Sequence, residues 1–386
     1  MMRGRSAAWW GALGLWLLAF LVIAGDIVRR PGSHTTTPTY RLASADWWAG
    51  IDPYTYNSHS GFMYFPQAAI LYTPFTWGPT LLGDLLWRAV VFALFAYALV
   101  RLARAFLASD GRVSSSTFLI LTLLAVPSSL ASLRNAQFDL PLAAFIVLAT
   151  AEIARTRWKG ASIWLCLAVA LKPLAVVPLL LFGALYLRTL LPRLALGLVI
   201  LFLIPFLNPH PTFVAHEYRR CVETLLWAAQ PHEPKFSDLS ALLEHAHITL
   251  PDVALTVLRL LFALIFLGLG AWAVRSRKAV EAAWSIGALA ATYLMLFNPR
   301  TETCSYVMLA PFTATLALWE WPRRRWLAWA LGMGSICLAC DSLPGLFHLT
   351  DRWLKPLVAL LFLPVLVAFI ARRQEVLSAD RAGRPL

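Results

Sequence analysis

Four carboxylates in this sequence could take a proton from a hydroxyl, and several cations and ring side chains could hold what that hydroxyl attacks. Asp26, Asp46, Asp52 and Glu302 are carboxylates in or beside the polar loops, and a carboxylate acts on a hydroxyl proton only from within hydrogen-bond reach. Tyr40, Tyr64, Asn135, Gln137, Asn298 and Arg300 are candidates to grip a substrate, and Lys172 could provide a cation for a lipid-linked phosphate. Each has a plainer reading. Asp52 precedes Pro53 and suits a turn; Asp46 could be solvated or paired with an N–H. Glu302 could cap a helix start or pair with Arg300, and Lys172 could snorkel to an interface. His34 and His59 are possible bases, although loop histidines are usually solvated. His232, His245 and His247 lack metal-ligand spacing, because residues two apart on a helix face away from each other. Cys337 and Cys340 have a C-x-x-C spacing with no second pair or nearby histidine, which suits ordinary small buried residues. No metal and no cofactor are expected.

The elements that must carry these groups are hydrophobic. Of 386 residues, 59% are hydrophobic and 14% charged, against about a quarter charged in soluble domains. The shortfall recurs along the whole length, so one domain spanning 1–373 in a membrane is expected, followed by a polar tail at 374–386. The net charge of +13 does not indicate a nucleic-acid partner. Its lysines and arginines form short clusters between apolar runs, as the positive-inside rule places them on cytoplasmic loops. The first apolar stretch is too long for a signal-peptide core and reads as a retained anchor.

A helix needs about 20 apolar residues to span ~30 Å of hydrocarbon. Trp9–Val28, Leu81–Leu102, Thr117–Leu133, Phe138–Ala154, Val253–Val274, Val280–Phe297, Cys304–Trp319, Trp326–Leu343 and Pro356–Ala371 qualify. Between Ala161 and Leu207 the chain is apolar but interrupted, first at Lys172-Pro173. One long kinked helix there would put the later arginine clusters on the wrong side. A hairpin of two half-helices turning at Lys172-Pro173 keeps every cluster inside. The expected fold class is all-α, a polytopic bundle of about 12 transmembrane helices with both termini cytoplasmic. Loops 29–80 and 208–252 then face outward. Within the first, Leu42, Ala43, Trp47 and Trp48 recur at helical spacing before Gly50, which predicts a short interfacial helix.

The residues of this outward face resemble a known family. Tyr40, Ala43, Gly50, Asp52-Pro53-Tyr54 and Tyr64-Phe65-Pro66 are similar to the first outer loop of glycosyltransferase family 87. Asn135 and Gln137, Ala170-Leu171-Lys172-Pro173 and Leu296-Phe297-Asn298-Pro299 follow in the same order. The resemblance covers about residues 10 to 370. It implies a C-type glycosyltransferase fold with interfacial loop helices. It also implies an inverting hexosyltransferase of the mannosyltransferase kind, using a polyprenyl-phosphate-hexose donor and a lipid or glycan acceptor at the outer face of the cell membrane. In such enzymes a first-loop carboxylate is the general base. Two positions depart from the pattern. Thr36 stands where the family's loop aspartate would be, and Thr303-Cys304-Ser305 stands where a histidine often follows the proline. A threonine hydroxyl cannot be that base near neutral pH. Asp46 and Glu302 are the preferred substitutes, ahead of Asp26 and Asp52. Two alternatives are a transporter or lipid flippase, and a relative that kept the fold and binds a partner without turnover.

Overall fold

The computed structural model describes residues 7–33, 35–54, 61–108, 112–228 and 236–372. His34, His59, His232 and the tail at 374–386 lie outside them. The described residues are helical, without a β-strand. In chain order the helices are α1 (Ala7–Arg29), α2 (Thr37–Ala49), α3 (Pro66–Tyr72), α4 (Thr80–Phe106), α5 (Ser115–Ala125) and α6 (Leu130–Asn135). Next come α7 (Asp139–Ala154), α8 (Trp158–Leu171), α9 (Val176–Leu185), α10 (Leu191–Leu203), α11 (Pro211–Ala228) and α12 (Leu239–His245). The last are α13 (Asp252–Ser276), α14 (Ala279–Phe297), α15 (Ala310–Glu320), α16 (Arg325–Cys337), α17 (Pro344–Thr350) and α18 (Leu354–Ala371).

Length and apolarity suit α1, α4, the α5–α6 run, α13, α14 and α18 to cross a membrane. Helices α8, α9 and α10 are apolar but shorter. Leu17, Leu18, Leu21 and Val22 on α1, and Val257, Leu260 and Leu264 on α13, are more than half exposed. Two continuous apolar flanks of this kind belong in lipid, not water. The protein is an integral, multi-pass membrane protein. At its centre every residue of α7 is buried, as is nearly all of α14. Gly287 lets α14 close on its neighbours: a Cβ there would stand 2.5 Å from Thr150 Oγ1 and 2.8 Å from the Phe312 ring.

The expected hairpin is present. Lys172 is extended (φ −144°, ψ 121°), as a residue before proline prefers to be. Trp158, opening α8, and Tyr186, just past α9, pack with ring centroids 5.1 Å apart. Both feet of the hairpin therefore stand together, with Lys172 at the far apex. Elsewhere the expected helices are shorter than their apolar runs. The Thr117–Leu133 stretch is divided by a 3-10 turn at Pro127–Ser129, and the Trp326–Leu343 stretch ends at Cys337. Leu343 is extended before Pro344, which opens α17.

The interfacial helix α2 stops where its glycine does. Gly50 is left-handed (φ 70°) and its N–H reaches back to the Asp46 and Trp47 carbonyls. Gly50→Ala should cost roughly 1–2 kcal/mol, read as a lower thermal midpoint in detergent; an unchanged midpoint would show that this cap does not hold α2. Helices α2, α3, α11, α12 and α17 lie at one end of the bundle, here termed the loop face. At the other end stand the arginine clusters, where Arg101 pairs with Glu152 and Arg372 with Glu320.

Candidate functional site

A connected group of buried polar side chains lies at the loop face, built on the first turn of α7. Asp139 there is 1% exposed. Lys172 Nζ, from the hairpin apex, donates to both its oxygens at 2.9 and 2.8 Å. Ser305 Oγ donates to Asp139 Oδ1 at 2.9 Å. Two residues earlier, Gln137 joins the same segment from the other side. Its Nε2 donates to Glu302 Oε2 and its Oε1 accepts from the Cys304 thiol, so both ends of the amide are fixed. Cys304 Sγ is also 3.6 Å from Glu302 Oε2. Three stretches far apart in sequence thus converge: 137–139, the apex at 172, and 302–305.

Aromatic rings form the wall beside this network. Tyr40 of α2 stacks on Phe138 with centroids 4.2 Å apart, and Tyr64 meets the same ring edge-on at 4.8 Å. Their hydroxyls approach to 3.5 Å. Tyr40 also hydrogen-bonds Thr36, whose Oγ1 donates to the Asn135 carbonyl at 3.0 Å. Burial and then the Glu302 charge raise the Tyr64 pKa, so this hydroxyl stays protonated and can donate. The Glu302 charge also acts on Lys172 and Arg300. A line of neighbours therefore runs from Thr36 through Tyr40 to Tyr64, and the Glu302 charge acts on Tyr64 from beyond it.

The remaining sequence candidates divide clearly. Asp46 and Asp52 lie together in a second acidic group with Glu217 of α11. Asp52 Oδ1 accepts the Tyr54 N–H at 2.7 Å, the turn expected of it, while Oδ2 accepts from Arg220 Nε at 3.0 Å. Burial, then the Asp52 charge, raises the Asp46 pKa. His216 Nδ1 is 2.8 Å from Glu217 Oε1, and the Glu217 and Asp52 carboxyls are within hydrogen-bond reach of one another. Burial lifts Glu217 from 4.5 to about 7; the His216 hydrogen bond opposes this and Asp52 adds to it. Its folded pKa thus exceeds its unfolded one, so the native state holds the extra proton. The resulting stability is complete below about pH 4.5 and is lost as pH rises through about 7. Heating the detergent-solubilised protein should give a midpoint that falls between pH 5 and pH 8, and Glu217→Gln should flatten that slope. An equal slope in the variant would assign the effect to another group.

Asp26, on the last turns of α1, joins neither group. Asn135 contributes its backbone carbonyl to Thr36, and Asn298 Nδ2 donates to Thr301 Oγ1 at 3.3 Å in the turn after α14. Arg300 does not pair directly with Glu302. Its Nη1 donates to the Ala228 carbonyl at 3.0 Å, and its guanidinium covers the Phe236 ring at 5.0 Å. Nor does Lys172 snorkel, since Asp139 holds it. Sequence reasoning missed Asp139, Ser305 and the carboxyl partnership of Glu217. Asp139 did carry a signal, being an acid at the first position of a largely apolar helix.

The sequence profile of glycosyltransferase family 87 matches residues 62–299, more than half of the chain. No curated protein matches it. Among solved structures, ArnT from Cupriavidus metallidurans in the apo state is similar with a TM-score of 0.49 at 18% identity, over 95% of this chain and 77% of that one. The same enzyme bound to undecaprenyl phosphate gives 0.48 at 16% identity over the same shares.

Proposed function

The chain belongs to glycosyltransferase family 87, and from that premise we propose that it transfers a hexose of the mannose kind from a polyprenyl-phosphate donor to a hydroxyl of a lipid or glycan acceptor, with inversion, at the loop face. The positive-inside rule puts the arginine clusters and both termini in the cytoplasm, and the loop face on the outer side of the cell membrane. The observation that carries this reading is the convergence of Glu302, Gln137, Lys172 and Asp139 beside the Tyr40–Tyr64 wall. A carboxylate and a cation meet there next to rings that can cover a sugar.

Glu302 is the base in this reading. Its charge acts on Tyr64, which meets Tyr40 beside Thr36, the position where the family's loop aspartate would stand, whereas Asp46 belongs to the group around Asp52 and Glu217. The Glu302 carboxylate takes the acceptor proton as the acceptor oxygen bonds to the anomeric carbon. The bond from that carbon to the phosphate oxygen breaks, and polyprenyl phosphate leaves with the electron pair. Lys172 and Arg300 supply positive charge where that phosphate develops its own. Asp139 partly neutralises Lys172 and fixes its direction. Tyr64, with its hydroxyl kept protonated, donates to the sugar.

Reconstitution in liposomes tests the proposal. Label should pass from radiolabelled polyprenyl-phosphate-mannose into an acceptor fraction, and none should pass from a nucleotide-mannose. Binding of the donor without turnover would instead identify a relative that kept the fold and lost the chemistry.

A further inference from the structure

We infer that the arginine end of the bundle holds one anionic phospholipid, its phosphate against Arg323–Arg325 and one acyl chain in the groove between α5 and α16. This site is at the opposite end from the sugar-transfer network and does not depend on that reading. The groove encloses about 580 Å³. Ile120 and Leu124 of α5 form one side of it, and Gly332, Met333 and Ile336 of α16 form the other. Its lining on α16 runs from Ala328 to Ile336, roughly 12 Å of helix, directed from the arginine end into the hydrocarbon. Gly332 opens it, because a Cβ there would meet only a Leu124 methyl at 3.7 Å.

The mouth of the groove fits a lipid headgroup. Arg323 lines it, and its Nη1 donates to the Trp319 carbonyl at 3.0 Å, which keeps the guanidinium over the opening. Arg324 and Arg325 are exposed beside it. Glu320, at the end of α15, is taken by Arg372, and among the described residues none of the three arginines has a carboxylate partner. Trp321 and Trp329, both exposed, pack edge to face with centroids 5.5 Å apart, an interfacial rim of the kind tryptophan forms at headgroup level. Three unneutralised cations over an apolar slot complement a phosphate on an acyl chain. They give no advantage to a net-neutral lipid.

Native mass spectrometry of the full chain, titrated with phosphatidylglycerol and phosphatidylcholine of equal chain length, tests this. The wild type should bind phosphatidylglycerol on the order of a hundredfold more tightly, since each arginine near an anionic surface contributes about fivefold. R323Q/R324Q/R325Q should lose that preference and still bind both lipids weakly. Gly332→Leu, which fills the slot without touching the charges, should lose the tight phosphatidylglycerol adduct. Equal binding of the two lipids by the wild type would overturn the proposal, and so would an undiminished adduct in Gly332→Leu. A dimer that Gly332→Leu dissociates would likewise overturn it, by assigning the groove to a second copy of the chain.

Discussion

Glu302→Gln should slow sugar transfer about 10²–10⁴-fold, the usual contribution of a positioned general base. The substitution keeps the side chain's size, and a glutamine oxygen can still accept from Gln137 Nε2. Folding and donor binding should therefore survive, which a thermal midpoint and a donor titration would verify. Asp46→Asn is the matched control and should leave the rate close to that of the wild type. A sharper arm adds back the carboxylate that the family places in the first loop. In a Glu302→Gln background, Thr36→Asp should recover part of the lost rate, because Thr36 neighbours Tyr40, whose hydroxyl meets Tyr64 within range of the Glu302 charge. Full activity in Glu302→Gln, or a loss confined to Asp46→Asn, would move the base to the Asp52 and Glu217 group.

Lys172→Met should be the most damaging single change to the fold at this site. It strips Asp139, 1% exposed, of its cation, and breaking a buried pair from one side costs about 3–5 kcal/mol. Adding Asp139→Leu should return most of that stability, since replacing both partners with apolar groups is close to neutral. Activity should not return with it, because the departing phosphate would still lack its cation. A double variant that regains both stability and turnover would reduce the pair to a structural strut. Thermal melts in detergent and the transfer assay separate these outcomes.

The sequence made the scaffold legible because membrane solvent leaves few choices. Apolar runs of fixed length had to be helices, Pro173 had to break one, and Gly50 had to end another. The observed α1, α2, α13 and the α8–α9 turn follow those expectations closely. Helix ends inside long apolar runs were harder to place, as the early stop of α16 at Cys337 shows. Site residues were legible as types but not as partners. Glu302 and Gln137 were both candidates, yet nothing in their spacing of 165 residues said that one donates to the other. Lys172 read as a free cation because Asp139 was counted only as part of a crossing. The split of the acids into two groups depends on how α2 and α11 dock, which no local pattern encodes.

The hairpin that carries Lys172 gives the bilayer a part in the chemistry. Its α8 limb has 14 residues, roughly 21 Å, less than the ~30 Å hydrocarbon slab it reaches into. Its feet pack together at the arginine end and its apex is pinned to Asp139 at the loop face. Lipid tails that are too long or too short pull on that limb at modest cost per ångström of mismatch, and the strain falls on the Lys172–Asp139 contact. Turnover should therefore peak in hosts of one chain length and decline on either side, making hydrocarbon thickness a tuning parameter for the enzyme.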